Sequence, residues 1–273
     1  QVMRIFEMKK CFLDLQIPCR WVPDMGYGNG YPLFNYYAVL PYYIGAALSF
    51  LLGFLTSAKL LFAIPIFLGA FSMFFLSREL FGVYPGILAS ALYTYAPYRA
   101  LDTYVRGDIA ENFAIAIIPF CFYFALKLVK LGEVKYLVGL SLSLAAFLTS
   151  HNIMTVLFMP ILLLVVVYWL VREKGRNLLS LILGLLIGIG LSAFFILPAY
   201  FEKGLVQIDN LIKLDLNFRG HFTTVNQLFF SRLWGYGASV PGPGDTISFQ
   251  VGWPHWWMVL VGWIIFIMNL KSK

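Results

Sequence analysis

Charged side chains are scarce in this chain. Asp, Glu, Lys and Arg make up 12% of its 273 residues, against 60% hydrophobic, where a soluble domain of this size carries about 25% charged. With mean hydropathy at +0.80, that shortage excludes a soluble enzyme with a large core and marks an integral membrane protein. Cysteine is nearly missing: Cys11, Cys19 and Cys121 are too few for a disulfide framework. No Cys/His cluster has metal-ligand spacing, and there is no phosphate-binding glycine loop and no zinc-protease motif. No signal-peptide pattern, internal repeat or low-complexity tract is present. The chain starts at Gln1 and runs straight into a charged helix, so it reads as a fragment of a longer sequence. The charge that is present sums to +7. In a membrane chain the positive-inside rule explains that excess without nucleic acid.

What is there is a series of apolar runs. Leu60–Ser77, Leu80–Tyr98, Asn112–Leu126, Tyr136–Ser150, Ile153–Val171, Leu178–Ala199 and Trp256–Leu270 are each about long enough to cross, given that roughly 20 residues span the hydrocarbon. The shorter ones need their flanks. Lys127, Lys130 and Lys135 share one connection, Arg172, Lys174 and Arg176 another, and Lys271 and Lys273 follow the last run. These are the expected cytoplasmic ends. The stretches 98–112, 150–152 and 200–254 then lie outside, as do the residues before Leu60. The Gly- and Pro-rich "GYGASVPGPGD" at 235–245 reads as a loop.

An eighth uncharged run, Met25–Ala58, breaks the count. If it crossed, residues 1–36 would be cytoplasmic, yet four cations there face three anions, which is no cytoplasmic tail. The segment 37–57, with Pro41, Gly45 and Gly53, is therefore expected to dip into the outer leaflet or lie along it; an ordinary span is the alternative. Residues 2–16 carry an apolar stripe of Ile5, Met8, Phe12 and Leu15, which suits either an interfacial helix or a helix packed in an outer domain. Cys11 and Cys19 share an oxidising face and can pair, but two small apolar residues are the simpler reading. The expected organisation is one transmembrane domain over 1–273. It comprises a first outer loop at 1–58, a helix bundle at 59–199, an outer segment at 200–254 and a last helix at 255–273.

The phrase "RIFEMKKCFLDLQIPCRWVPDMGYGNGYPLFNYYAVLPYYIG", with "YVRGDIAENFAIAIIP" and "LTSHN" further on, resembles a family of multi-pass bacterial membrane proteins labelled 6-pyruvoyl-tetrahydropterin synthase-related. The match covers nearly the whole chain. These proteins are in turn similar to GT-C-type glycosyltransferases. The resemblance implies an all-α integral membrane protein, a GT-C-like bundle of about seven transmembrane helices with juxtamembrane or re-entrant helices in the first outer loop. It implies a bacterial-type plasma membrane with the active face extracytoplasmic. It also implies a helix upstream of Gln1, with an acidic residue at its outer end, and further helices beyond Lys273. The implied activity is sugar transfer from a polyprenyl-phosphate donor, with membrane lipid as the other partner. One carboxylate takes the proton of the acceptor hydroxyl, and cationic side chains, or a divalent metal, stabilise the departing lipid phosphate.

That chemistry needs outward-facing carboxylates and arginines. The first loop supplies Arg20 and Asp24; the second supplies Arg99, Asp102, Arg106, Asp108 and Glu111. The candidate catalytic residues are Asp24, Glu111 and His151. The candidate substrate-binding residues are Arg20, Arg106, Asp108, Tyr27 and Tyr31. Gly26, Gly28 and Gly30 allow a ligand close to the backbone near Asp24, with Arg20 expected beside it. Arg106 is a candidate for the lipid phosphate, held bidentately. Each has a plainer reading. Asp24 suits a turn. Asp108 and Glu111 fit a capping box at a helix start. The tyrosines fit an interfacial aromatic belt, and Ser, His and Asn at 150–152 fit a helix hairpin. "RGD" at 106–108 matches an adhesion tripeptide, a match too short to inform. Two other functions stay open: a lipid or polysaccharide transporter or flippase, for which inverted repeats and charges within the spans are missing, and a non-catalytic relative of the same fold.

Overall fold

Glycines and prolines punctuate the apolar runs, and they decide where the helices of the computed structural model begin, bend and stop. The structure describes residues 1–207, 218–231, 235, 240, 242, 244 and 247–271. Among them every regular element is a helix, apart from an isolated antiparallel bridge between Val22 and Tyr31. Most of the loop expected at 235–245 lies outside the described residues. The chain divides into two compact units, residues 1–90 with 109–206, and residues 91–108 with 207–273.

The first unit opens with α1 (Val2–Leu13), followed by the single turn α2 (Leu33–Tyr36) and the long α3 (Leu40–Phe81). Gly53 breaks α3 with φ 73° and ψ 169°, a conformation open to glycine and strained for any other residue. Residues 40–52 therefore rise only about 20 Å, short of the roughly 30 Å hydrocarbon core, whereas residues 54–81 are long enough to cross. Residues 40–52 are thus too short to cross by themselves. α1 buries Ile5, Met8 and Cys11. It packs on α3, with Phe12 stacked on Tyr43 at 5.6 Å and Phe6 edge-on to Phe54 at 5.7 Å. Its stripe ends earlier than the sequence pattern suggests, since Leu15 is exposed at φ 57°.

Gly82 ends α3, and α4 (Val83–Thr94) follows. The run Leu80–Tyr98 is therefore not one span: α4 has 12 residues and rises about 18 Å. Next come α6 (Ile109–Leu131), α7 (Val134–Leu148), α8 (Asn152–Arg172) and α9 (Leu178–Phe201). α6 is the core, packed against α3, α7, α8 and α9 and buried along most of its length. Lipid tails are as apolar as leucine, so contact between such helices depends on small residues and shared hydrogen bonds. Ser72 Oγ donates to the Ala116 carbonyl at 2.7 Å, and Ser141 Oγ donates to that of Gly184 at 3.0 Å. A Cβ on Gly188 would stand 2.9 Å from Leu144 Cβ, so α7 and α9 touch only because that atom is missing. At the end of α3, Glu79 accepts from Lys127 at 3.1 Å and Lys130 at 3.3 Å, tying α3 to the basic end of α6.

The second unit holds α5 (Pro97–Leu101), a π turn at Asp102–Arg106 closed by left-handed Gly107, α10 (Val225–Phe229) and α11 (Trp253–Lys271). α10 starts with a capping box between Thr224 and Gln227. Phe229 stacks on Trp256 at 4.3 Å. Among the described residues four helices are long and apolar enough to cross a membrane, those at Leu40–Phe81, Ile109–Leu131, Asn152–Arg172 and Leu178–Phe201; Val134–Leu148 and Trp253–Met268 are shorter apolar helices. The protein is an all-α membrane protein, and the expected count of seven is not reached among these residues.

Cys11 and Cys19 form a disulfide with Cα atoms 5.5 Å apart. This corrects the simpler sequence reading of two unpaired apolar residues. Their separation of 8 residues was visible, but the turn that folds Cys19 back onto α1 was not.

Candidate functional site

Glu111 sits in the first turn of α6, where the helix dipole favours a carboxylate. It is only 6% exposed. Asp108 directly precedes that helix, three positions before Glu111 in the chain. Across from Glu111 stands the α7–α8 hairpin "TSHN". Thr149 Oγ1 and Ser150 Oγ fold back onto the Ala145 and Ala146 carbonyls at 2.8 and 2.6 Å, so the turn satisfies its own hydroxyls while buried. His151 caps α8, its Nδ1 accepting from the Met154 N–H at 3.2 Å. The Thr149 carbonyl accepts from the N–H groups of Val39 and Leu40, and Asn152 Nδ2 donates to the Tyr36 carbonyl at 2.8 Å. The hairpin tip is thereby fixed to the start of α3. A ring nitrogen of His151 and a carboxylate oxygen of Glu111 lie within 4.8 Å of each other.

The cap fixes the tautomer. With Nδ1 accepting from Met154, the neutral ring carries its proton on Nε2. A carboxylate and an imidazole, as at Glu111 and His151, are donor types that suit a divalent cation. A cation on either ring nitrogen, however, would cost the cap or that proton. The hydrogen-bonded His151 thus fits proton handling better than metal binding.

Arg106 belongs to the second unit, where it donates to Tyr98 Oη at 2.7 Å and Asp102 Oδ1 at 3.2 Å and stands 3.8 Å from Asp108 Oδ2. Asp102 and Asp108 offset its charge. Asp24 is exposed and paired with Lys10 at 2.6 Å. Arg20 does not pair with Asp24, as the sequence suggested, but stands 3.7 Å from Glu202. The glycines beside Asp24 have a backbone task. Gly26, Gly28 and Gly30 all take positive φ, closing the turn between Val22 and Tyr31, and a Cβ on Gly30 would meet Trp21 Nε1 at 2.6 Å. Tyr27 is wholly exposed and Tyr31 partly so.

The description "6-pyruvoyl-tetrahydropterin synthase related domain; membrane protein" matches residues 34–230. The chain belongs to this family. It is also 24% identical over 244 residues, 85% of its length, to an uncharacterized protein of Lactococcus lactis subsp. cremoris (strain MG1363). It spans 39% of that relative. No solved structure matches the chain.

The synthase-related domain contains Glu111, His151 and Arg106, while Arg20, Asp24, Tyr27 and Tyr31 precede its first matched residue. It also contains Glu202, which the sequence reading passed over. Glu202 follows α9, and its Oε2 accepts from Asn35 Nδ2 at 2.7 Å while its backbone carbonyl accepts from Tyr36 Oη at 2.7 Å. A lone acidic residue after a 24-residue apolar helix was its only signal in the sequence.

Proposed function

We propose that this protein is part of a membrane glycosyltransferase that moves a sugar from a polyprenyl-phosphate donor to a hydroxyl acceptor at the extracytoplasmic face. The observation that carries the reading is the buried Glu111 carboxylate within 4.8 Å of a His151 ring nitrogen. In this reading Glu111 takes the acceptor O–H proton as that oxygen bonds to the anomeric carbon. The bond from the anomeric carbon to the phosphate oxygen breaks, and the phosphate leaves with its electron pair. The His151 Nε2–H orients the carboxylate or the reacting hydroxyl. The Cys11–Cys19 bridge supports the outward orientation, because disulfides persist in oxidising compartments.

The test is transfer from radiolabelled polyprenyl-phosphate sugars by the full-length protein. Glu111→Gln should cut the rate by about 10²–10⁴-fold, the usual contribution of a general base, with membrane insertion unchanged. Asp24→Asn, at an exposed ion pair, serves as the comparison and should lose far less. Full transfer by Glu111→Gln would end this reading.

A further inference from the structure

A second polar cluster lies in the first unit, and the transfer chemistry above does not use it. Glu202 is its hub. One carboxylate oxygen accepts from Asn35, while the other, Oε1, stands 3.7 Å from Arg20 Nη1. That last contact is too long for a hydrogen bond. Arg20 is half exposed, and its five N–H donors have spare capacity. Asn35 is buried at 4% exposure, and its amide orientation follows from the network: the nitrogen must face the carboxylate, so the oxygen faces away. That Oδ1 has no hydrogen-bond partner. A buried acceptor without a donor is costly and calls for an explanation.

We propose that Arg20, Asn35 and Glu202 form a sugar-phosphate subsite, in which Arg20 donates to phosphate oxygens while Asn35 Oδ1 and Glu202 Oε1 accept from sugar hydroxyls. The inference rests on the transferase reading for the lipid half of the ligand and adds the residues that recognise its sugar. The chemistry selects this class. A bare phosphate brings no donor for Asn35 Oδ1 and is repelled by Glu202. A metal cation meets the Arg20 charge. A neutral polyol leaves the spare guanidinium donors unused. A sugar phosphate offers hydroxyl donors and anionic acceptors side by side. The cluster also shares a frame with the Glu111–His151 pair. Tyr36 donates to the Glu202 backbone carbonyl, and its own carbonyl accepts from Asn152, the residue after His151.

Binding to the full-length protein in nanodiscs tests this without requiring transfer. The probes are farnesyl phosphate and its glucosyl, mannosyl and galactosyl esters, with phosphatidylglycerol as competitor. The wild type should bind at least one ester about tenfold more tightly than farnesyl phosphate, a difference of about 1.4 kcal/mol. Asn35→Leu and Glu202→Gln should abolish that preference yet keep farnesyl phosphate affinity within about threefold, whereas Arg20→Gln should weaken every phosphate probe about tenfold. Glu202→Asp should restore part of the sugar preference, which a purely structural loss would not show. Wild-type indifference to the sugar, or a preference that survives in Glu202→Gln, overturns the proposal. So does phosphatidylglycerol displacing the esters as well as farnesyl phosphate does. The two readings fail separately. A sugar preference in a protein that transfers nothing sinks only the transferase, and Glu111-dependent transfer without this binding pattern sinks only the subsite.

Discussion

Glu7 shows how one side chain can carry a pH dependence for the segment around α1. It lies on the inner face of α1 and is fully buried. Burial raises its pKa and the Asp24 carboxylate raises it further, while Lys10 and a hydrogen bond from the Asp24 backbone N–H partly oppose both. The folded pKa lies above the unfolded one. Ionisation of Glu7 therefore adds no penalty below the unfolded value of about 4.3 and destabilises the fold increasingly as pH rises through the folded value. Glu7→Gln removes that penalty. Thermal unfolding should show it more stable than wild type near neutral pH and above, with the gain vanishing in acid. A variant less stable than wild type at about pH 8 would rule this out. The sequence placed His151 at a hairpin tip, but its tautomer came from a single Met154 N–H contact.

At the scale of elements, two contacts decide whether the first unit holds together. The Cys11–Cys19 bridge ties the loop after α1 back to that helix. Replacing both cysteines with serine should cost about 2–3 kcal/mol by loop-closure entropy, read as a lower unfolding temperature. In the native protein both thiols should resist alkylation until a reductant is added. The α7–α9 crossing depends on Gly188, where an added Cβ would lie 2.9 Å from Leu144 Cβ and 3.0 Å from the Ser141 carbonyl. Gly188→Val should therefore force the helices apart at a cost of about 1–3 kcal/mol, seen as lower yield of folded protein in detergent. Unchanged stability would mean that this crossing is looser than the contact distances require.

For the whole molecule the question is orientation in the bilayer. The basic residues at 127–135 and 172–176 and the disulfide at 11–19 lie at opposite ends of the positive-inside argument. A cysteine placed at Gln1 should react with an impermeant maleimide from outside intact cells, and one placed at Lys135 only after permeabilisation. Labelling at Gln1 from the cytoplasmic side alone would invert the topology and move the proposed site to the wrong face.

Composition was enough to establish a membrane protein, because so few charges and so many apolar runs leave no soluble alternative. Periodicity and the lysine and arginine clusters located most of the helices, and Gly53 marked a break that its φ then required. The pairing of Glu111 with His151 was legible as a possibility, since both fall at helix starts on the same inferred face. Other features needed the tertiary structure, because each depends on segments far apart in the chain. Arg20 chose Glu202 over nearby Asp24 because the end of α9 comes up beside the first loop. Gly82 divided an uncharged run that hydropathy alone read as continuous, since hydropathy sums side chains and ignores backbone angles. Asn35, an ordinary residue in sequence, was left with a buried acceptor only because the partner that orients its amide lies 167 positions away.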